Sequence, residues 1–251
     1  MTSRTEERRD LTLATAGVHL RAAGDDQGVR GFDGHAAVFS DRTAIGNPLT
    51  WGFYEEIAPG AFTKTLAEGD ARFLVDHDTR LVVSRVSAGS LRLAQDQTGL
   101  AVDSDLDTRL SYVGDLVVNL DLKNITGMSF GFRTVKDEWS TVTVQTSEGD
   151  MEAELRTLRE VQLYEVSAVT FPAYEGTDAA LRSVGVALAA RGDQDAFDRR
   201  AALRPELLDF RREPAAQTAT RGGDATQPGE TTGARQARQM ELLAARYRLA
   251  R

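Results

Sequence analysis

Between Gly127 and Phe132 the chain alternates strictly. Met128, Phe130 and Phe132 fall on one side of an extended strand, and Gly127, Ser129 and Gly131 on the other. The aromatic side belongs to a core. The other side carries a serine with a glycine two residues away in each direction, so no neighbour on its own strand face crowds the hydroxyl. Two readings follow: an open nucleophile, or a strand that uses glycines to fit beneath a helix. Just upstream, Leu106, Leu110, Val113, Val117 and Leu120 recur at spacings of four and three, which predicts an amphipathic helix within 105–123.

The rest of the chain reads outward from there. Residues 1–10 show no apolar pattern and are expected to be disordered. Short strand patterns cover 11–21 and 30–39, and 40–54 reads as loop. A short helix runs to about Ala67, with Pro59 in its first turn. Residues 71–77 form a predicted strand with Phe73, Val75 and His77 on one face, followed by strands at 81–86, 90–93 and 100–106. The strand of Ser129 is expected to continue to Trp139, with 141–146 as a hairpin partner and 147–154 as a polar loop. The longest strand candidate is 155–171. Its regular alternation puts Glu165 in line with Val161, Leu163, Ser167 and Val169. A carboxylate among apolar neighbours needs a partner, because desolvation otherwise costs several kcal/mol. A structural ion pair with an arginine and a functional role both meet that need. A closing helix is predicted over 177–190. These elements make a mainly β protein with helices, of the α+β class.

Beyond about residue 217 the character changes. Residues 217–233 are rich in Gln, Thr, Gly, Ala and Pro, a composition that buries no core. Residues 235–251 predict a short helix carrying five arginines against one glutamate, either a solvated helix or a docking peptide. Residues 212–251 hold seven Arg against four Asp/Glu, whereas the whole chain has a net charge of −8. That balance argues against nonspecific nucleic-acid binding by the protein as a whole. There is no transmembrane run and no apolar leader, so a cytoplasmic location is expected. The absence of cysteine excludes disulfides, cysteine-ligated zinc and a cysteine nucleophile. Only three histidines occur, His19, His35 and His77, so a histidine-rich metal site is not expected and no cofactor is.

Three residues stand out: His77 on an apolar strand face, Ser129 on a bare one, and Glu165 on an apolar one. Acyl transfer needs such a set. A serine hydroxyl becomes a competent nucleophile when an imidazole takes its proton and a third group fixes that imidazole's tautomer. A structural histidine at a strand end is the alternative for His77. The order His, Ser, acid matches neither of the familiar protease orders.

Taken together, IAPGAF (57–62), LVDHD (74–78), TGL (98–100), GMSFGF (127–132) and LYEVSAVTFPAY (163–174) resemble the prohead, or capsid maturation, protease family of tailed bacteriophages. Each word is short and apolar, but their order and spacing are specific, and the resemblance covers about 28–180. It implies a serine endopeptidase related in fold to the herpesvirus assemblins, with a closed or partly closed β-barrel surrounded by a few helices. It implies His77 as base and Ser129 as nucleophile. Glu165 is the position carried over as third member. The herpesvirus relatives use a second histidine there, but His35 falls where the family often has an aromatic residue and is given no such role. Asp76 and Asp78 are expected to point away from the face of His77, with Asp78 as a turn residue. Gly131 and Arg133 are candidate backbone donors for the oxyanion.

On this reading 11–192 is the protease domain, 193–234 a helix-poor, largely flexible linker and 235–251 a basic C-terminal helix. The implied substrate is the major capsid protein or its scaffold segment, and also the protease itself, inside the procapsid in the host cytoplasm. The relatives suggest a homodimer; no membrane or specific nucleic acid is expected as a partner. The alternative is a scaffold or interaction protein of the procapsid that keeps the fold without cutting.

Overall fold

The alternating stretch around Ser129 forms the start of a long antiparallel hairpin, from which the neighbouring strands are hung. The computed structural model describes residues 6–21, 28–170 and 178–210. In chain order these form β1 (Glu7–Thr12), α1 (Leu13–Ala16), β2 (His19–Arg21), β3 (Val29–Val38), β4 (Thr43–Ile45), β5 (Phe53–Ile57) and α2 (Thr63–Glu68). There follow β6 (Arg72–Val75), β7 (Asp78–Arg85), β8 (Leu91–Gln95), β9 (Gly99–Asp107), α3 (Ser111–Asp121), β10 (Gly127–Thr146), β11 (Gly149–Val169), α4 (Asp178–Arg191) and α5 (Gln194–Leu203). The fold is thus mixed α+β and mostly strand.

One sheet runs β1-β10-β11-β5-β4, and β6 with β7 joins it through the far end of β11. The pairs β10–β11 and β1–β10 are antiparallel, whereas β5 and β6 both run parallel to β11. A second sheet has the order β2-β3-β9-β8. No closed barrel is detected among the described residues. The strands divide between two sheets, and no hydrogen-bonded ring joins them.

The main core lies on the aromatic side of β10. Met128, Phe130 and Phe132 are buried there with Phe32, Phe62, Phe73, Leu106, Val113, Leu116 and Val117. Phe130 stacks on Phe132 at 4.9 Å and meets Phe62 edge-on at 5.7 Å. Each fully buried side chain of this size contributes about 2–3 kcal/mol, so the alternation fixes which face of β10 turns inward. A second cluster joins Trp51 and Phe53 to Leu181, Val184 and Leu188 of α4, Phe197 and Ala201 of α5, and Leu207.

Several boundaries differ from the sequence expectation. Residues 7–10 are strand, not disorder: Glu7 and Arg9 are buried in ion pairs with each other and with the buried Arg156 and Glu55. Helix α3 begins at Ser111, because Leu106 belongs to β9 and only coincides with the helical spacing. Residues 141–146 continue β10, and their partner is 149–154, the start of β11. Residues 194–203 form helix α5 and pack into the second cluster, so the stretch from 193 does not begin as a flexible linker. The described residues through Phe210 belong to one compact unit. The predicted C-terminal helix at 235–251 lies outside the described residues.

Candidate active site

His77 does not sit on a strand. β6 ends at Val75, and Val75 pairs with Asp78 across a two-residue turn made of Asp76 and His77. Both turn residues take positive φ, 47° for Asp76 and 60° for His77. This is the backbone of a tight hairpin turn usually filled by Asn-Gly, and for a histidine it costs roughly 1 kcal/mol or more. Neighbouring groups on β11 and just beyond it hold the turn. Asp76 N–H donates to Ala168 O at 2.9 Å. The Asp76 carboxylate accepts from Thr170 N at 2.8 Å and from its hydroxyl at 3.0 Å. His77 N–H donates to Ser167 Oγ at 3.2 Å. Asp78 opens β7 and accepts from Arg80 N at 2.9 Å, as expected of a turn residue.

Glu165 reaches this turn because β11 is bulged. The register passes from Gly131↔Glu165 to Phe132↔Leu163, leaving Tyr164 as the extra residue. The bulge reverses the alternation. Val161 and Leu163 face the core on one side of it, Val166 and Ala168 on the other. Glu165 is therefore not in line with Leu163. It shares the opposite face with Ser167, Ser129 and Gly131. Its partner is His77, not an arginine: Nδ1 and Oε1 are 2.7 Å apart. The second oxygen, Oε2, accepts from Ser167 Oγ at 2.5 Å. Arg72, its backbone partner on β6, sends its guanidinium to the carbonyl of Asp70 instead.

Ser129 lies across from Ser167 in the β10–β11 ladder and from Asp10 in the β1–β10 ladder. It is fully buried, and its hydroxyl donates to Arg9 O at 3.0 Å. The expected triad is therefore brought together in part. His77 and Glu165 are bonded, and Ser129 is on the strand next to Glu165. No hydrogen bond joins Ser129 to the imidazole among the described residues. The imidazole retains a small opening, with 11% of the side chain exposed.

The Glu165 end of the site opens into a groove of about 750 Å³. Leu74, Thr79, Arg133, Gln162 and Tyr164 are among the residues that line it with Glu165. Gly131 lies inside the ladder between β1 and β11, whereas Arg133 is one residue past the last β1 pair. His35 pairs with Asp96 at 2.8 Å on the second sheet and takes no part in the site. No cluster of His, Asp and Glu among the described residues could hold a metal ion.

Sequence reasoning missed Ser167 and the function of Asp76. Ser167 had a signal, since it is two residues from Glu165 and shares its face. Asp76 had none, because its role depends on the turn.

The family model described as caudovirus prohead serine protease matches residues 17–190. The Prohead protease of Enterobacteria phage HK97 is 30% identical over an alignment of 178 residues, and the match covers 69% of this chain and 69% of that protein. Among solved structures, the bacteriophage T4 capsid assembly protease, gp21, matches 66% of this chain and 99% of its own. Its identity is 11% and the TM-score 0.34, too distant to bear on the site.

Proposed function

The chain belongs to the caudovirus prohead serine protease family, and on that premise we propose that it is a serine endopeptidase acting through Ser129, His77 and Glu165. Its substrate on this reading is the major capsid protein or its scaffold segment, cut inside the procapsid during maturation. The observation that carries the reading is the 2.7 Å contact between His77 Nδ1 and Glu165 Oε1, one strand away from Ser129. A carboxylate on Nδ1 places the ring's proton there and leaves Nε2 free to act as base.

The steps follow from that placement. The Ser129 hydroxyl turns from the Arg9 carbonyl toward Nε2 and attacks a peptide carbonyl. His77 takes the hydroxyl proton and passes it to the leaving amine. Glu165 holds the ring and stabilises the imidazolium while it exists. Backbone N–H donors facing the oxyanion would supply roughly 3–4 kcal/mol of the barrier reduction. The groove beside Glu165 offers the space for an extended substrate segment.

Co-expression with the cognate capsid protein tests the reading. Wild type should trim the capsid protein, and Ser129→Ala and His77→Ala should not. Trimming by both variants at the wild-type rate would overturn the assignment.

One observation favours a second reading, a non-cleaving internal scaffold. Ser129 is buried and its proton is committed to Arg9 O. The mass of the purified protein followed over days separates the two. Self-truncation within 212–236 that stops in Ser129→Ala supports the protease, and an unchanged chain supports the scaffold.

A further inference from the structure

One hydroxyl links the two parts of the site that must stay in register. Ser167 Oγ donates to Glu165 Oε2 at 2.5 Å and accepts from the backbone N–H of His77 at 3.2 Å. A serine hydroxyl has one proton to give and two lone pairs to receive. Here the proton goes to the carboxylate, and a lone pair goes to the histidine's own main chain. Both Glu165 oxygens are then occupied, Oε1 by the imidazole and Oε2 by Ser167, so the carboxylate cannot swing about its last bond without breaking one contact. The residue held at the other end, His77, has a φ of 60° that its own side chain disfavours. Ser167 is fully buried, so water does not compete for either bond.

We propose that Ser167 is a positioning residue that locks the Glu165 carboxylate and the His77 turn to each other. This rests on the proposed roles of His77 and Glu165. It also gives the two serines that face each other across β10 and β11 separate roles: Ser129 attacks, and Ser167, whose proton goes to Glu165 Oε2, holds the carboxylate.

The test uses the full chain in four forms: wild type, Ser129→Ala, Ser167→Ala and Ser167→Cys. The readouts are kcat and KM on the cognate capsid protein, the rate at which a fluorophosphonate labels Ser129, and the melting temperature. Loss of the hydroxyl should lower kcat about 10- to 100-fold with KM within about twofold, because misplacement of a catalytic group acts on the chemical step. Cys, a weaker donor of similar size, should fall between Ser and Ala. Labelling of Ser129 should slow in the same order, with the melting temperature little changed. A Ser167→Ala protein with wild-type kcat and labelling, beside an inactive Ser129→Ala, would overturn the positioning role and leave the protease reading intact. A fall in kcat that vanishes on normalising to the folded fraction would overturn it as well. Labelling of Ser129→Ala at the wild-type rate would overturn the underlying reading of the nucleophile.

Discussion

Gly131 and Glu165 are paired across the β10–β11 ladder, and a Cβ placed on Gly131 would stand 2.3 Å from Glu165 Oε1. That oxygen is the one bonded to His77. The glycine therefore clears the space through which the carboxylate reaches the imidazole. Gly131→Ala should displace the Glu165 head by about an ångström and lower kcat on the order of 100-fold, the effect typical of such misplacement. The methyl should push against a side chain and leave the backbone in place, so the melting temperature should drop only slightly. Steady-state cleavage of the capsid protein and thermal melts followed by circular dichroism check both halves. Wild-type kcat in Gly131→Ala would mean that Glu165 does not need its present position.

The Asp76 carboxylate fixes the turn from the other side, through the N–H and hydroxyl of Thr170. Its φ of 47° is one that Asp and Asn tolerate better than Ala does. Asp76→Asn keeps an acceptor and the backbone preference, so it should retain activity within a few-fold. Asp76→Ala loses both and should lower kcat roughly 10-fold, by letting the His77 turn drift. Equal activity of the two variants would show that the turn holds itself.

Much of this site was legible in the chain, and what was hidden was hidden for identifiable reasons. The alternation around Ser129 named the inward face of β10 correctly, because burying Met128, Phe130 and Phe132 leaves no other register. His77 and Glu165 were singled out and do meet. Their surroundings were misread. Period-two counting carried Glu165 into the core row of Leu163, and the bulge at Tyr164 reversed that row. A bulge inserts one residue without a composition signal of its own. Strand β1 was missed because Glu7 and Arg9 look like solvent residues. Their burial depends on Glu55 and Arg156, which are distant in sequence.

That buried group of charges sets a pH limit. Burial alone would raise the Glu7 pKa, but the guanidinium groups of Arg156 and Arg9 outweigh it and bring it from 4.5 down to about 2. A carboxylate with a lowered pKa in the folded state contributes stability above its ordinary pKa. That contribution is lost as pH falls toward the folded value. The melting temperature should thus be insensitive to Glu7 above about pH 5 and fall as pH goes from about 4.5 toward 2. Arg156→Ala leaves Glu7 and Glu55 short of a buried partner and should cost about 3–5 kcal/mol at neutral pH. It should also flatten the acid fall, since Glu7 would titrate closer to its ordinary value. Melting temperatures of wild type and variant from pH 2 to 8 test both statements, and an unchanged acid limb in Arg156→Ala would remove Glu7 from the account.

The same charges make β1 part of the body. Arg9 donates to both oxygens of Glu55, at 2.5 and 2.8 Å, and Arg156 donates to Glu7 at 2.8 Å. On the other side of the strand, the carbonyl of Arg9 receives the Ser129 hydroxyl. Removing residues 1–5 leaves all of these contacts in place and should not change the melting temperature or solubility. Removing residues 1–12 takes away Glu7 and Arg9, strips β10 of its neighbour and deprives the Ser129 hydroxyl of its acceptor. The bared edge of β10 would offer unpaired N–H and C=O groups beside an aromatic face, a template for pairing with another chain. The longer deletion should therefore aggregate or elute as large species on gel filtration, at a protein concentration where the shorter one stays soluble. A soluble 13–251 protein that melts at the wild-type temperature would show that β1 is dispensable, and that the buried charges stabilise the fold less than their geometry implies.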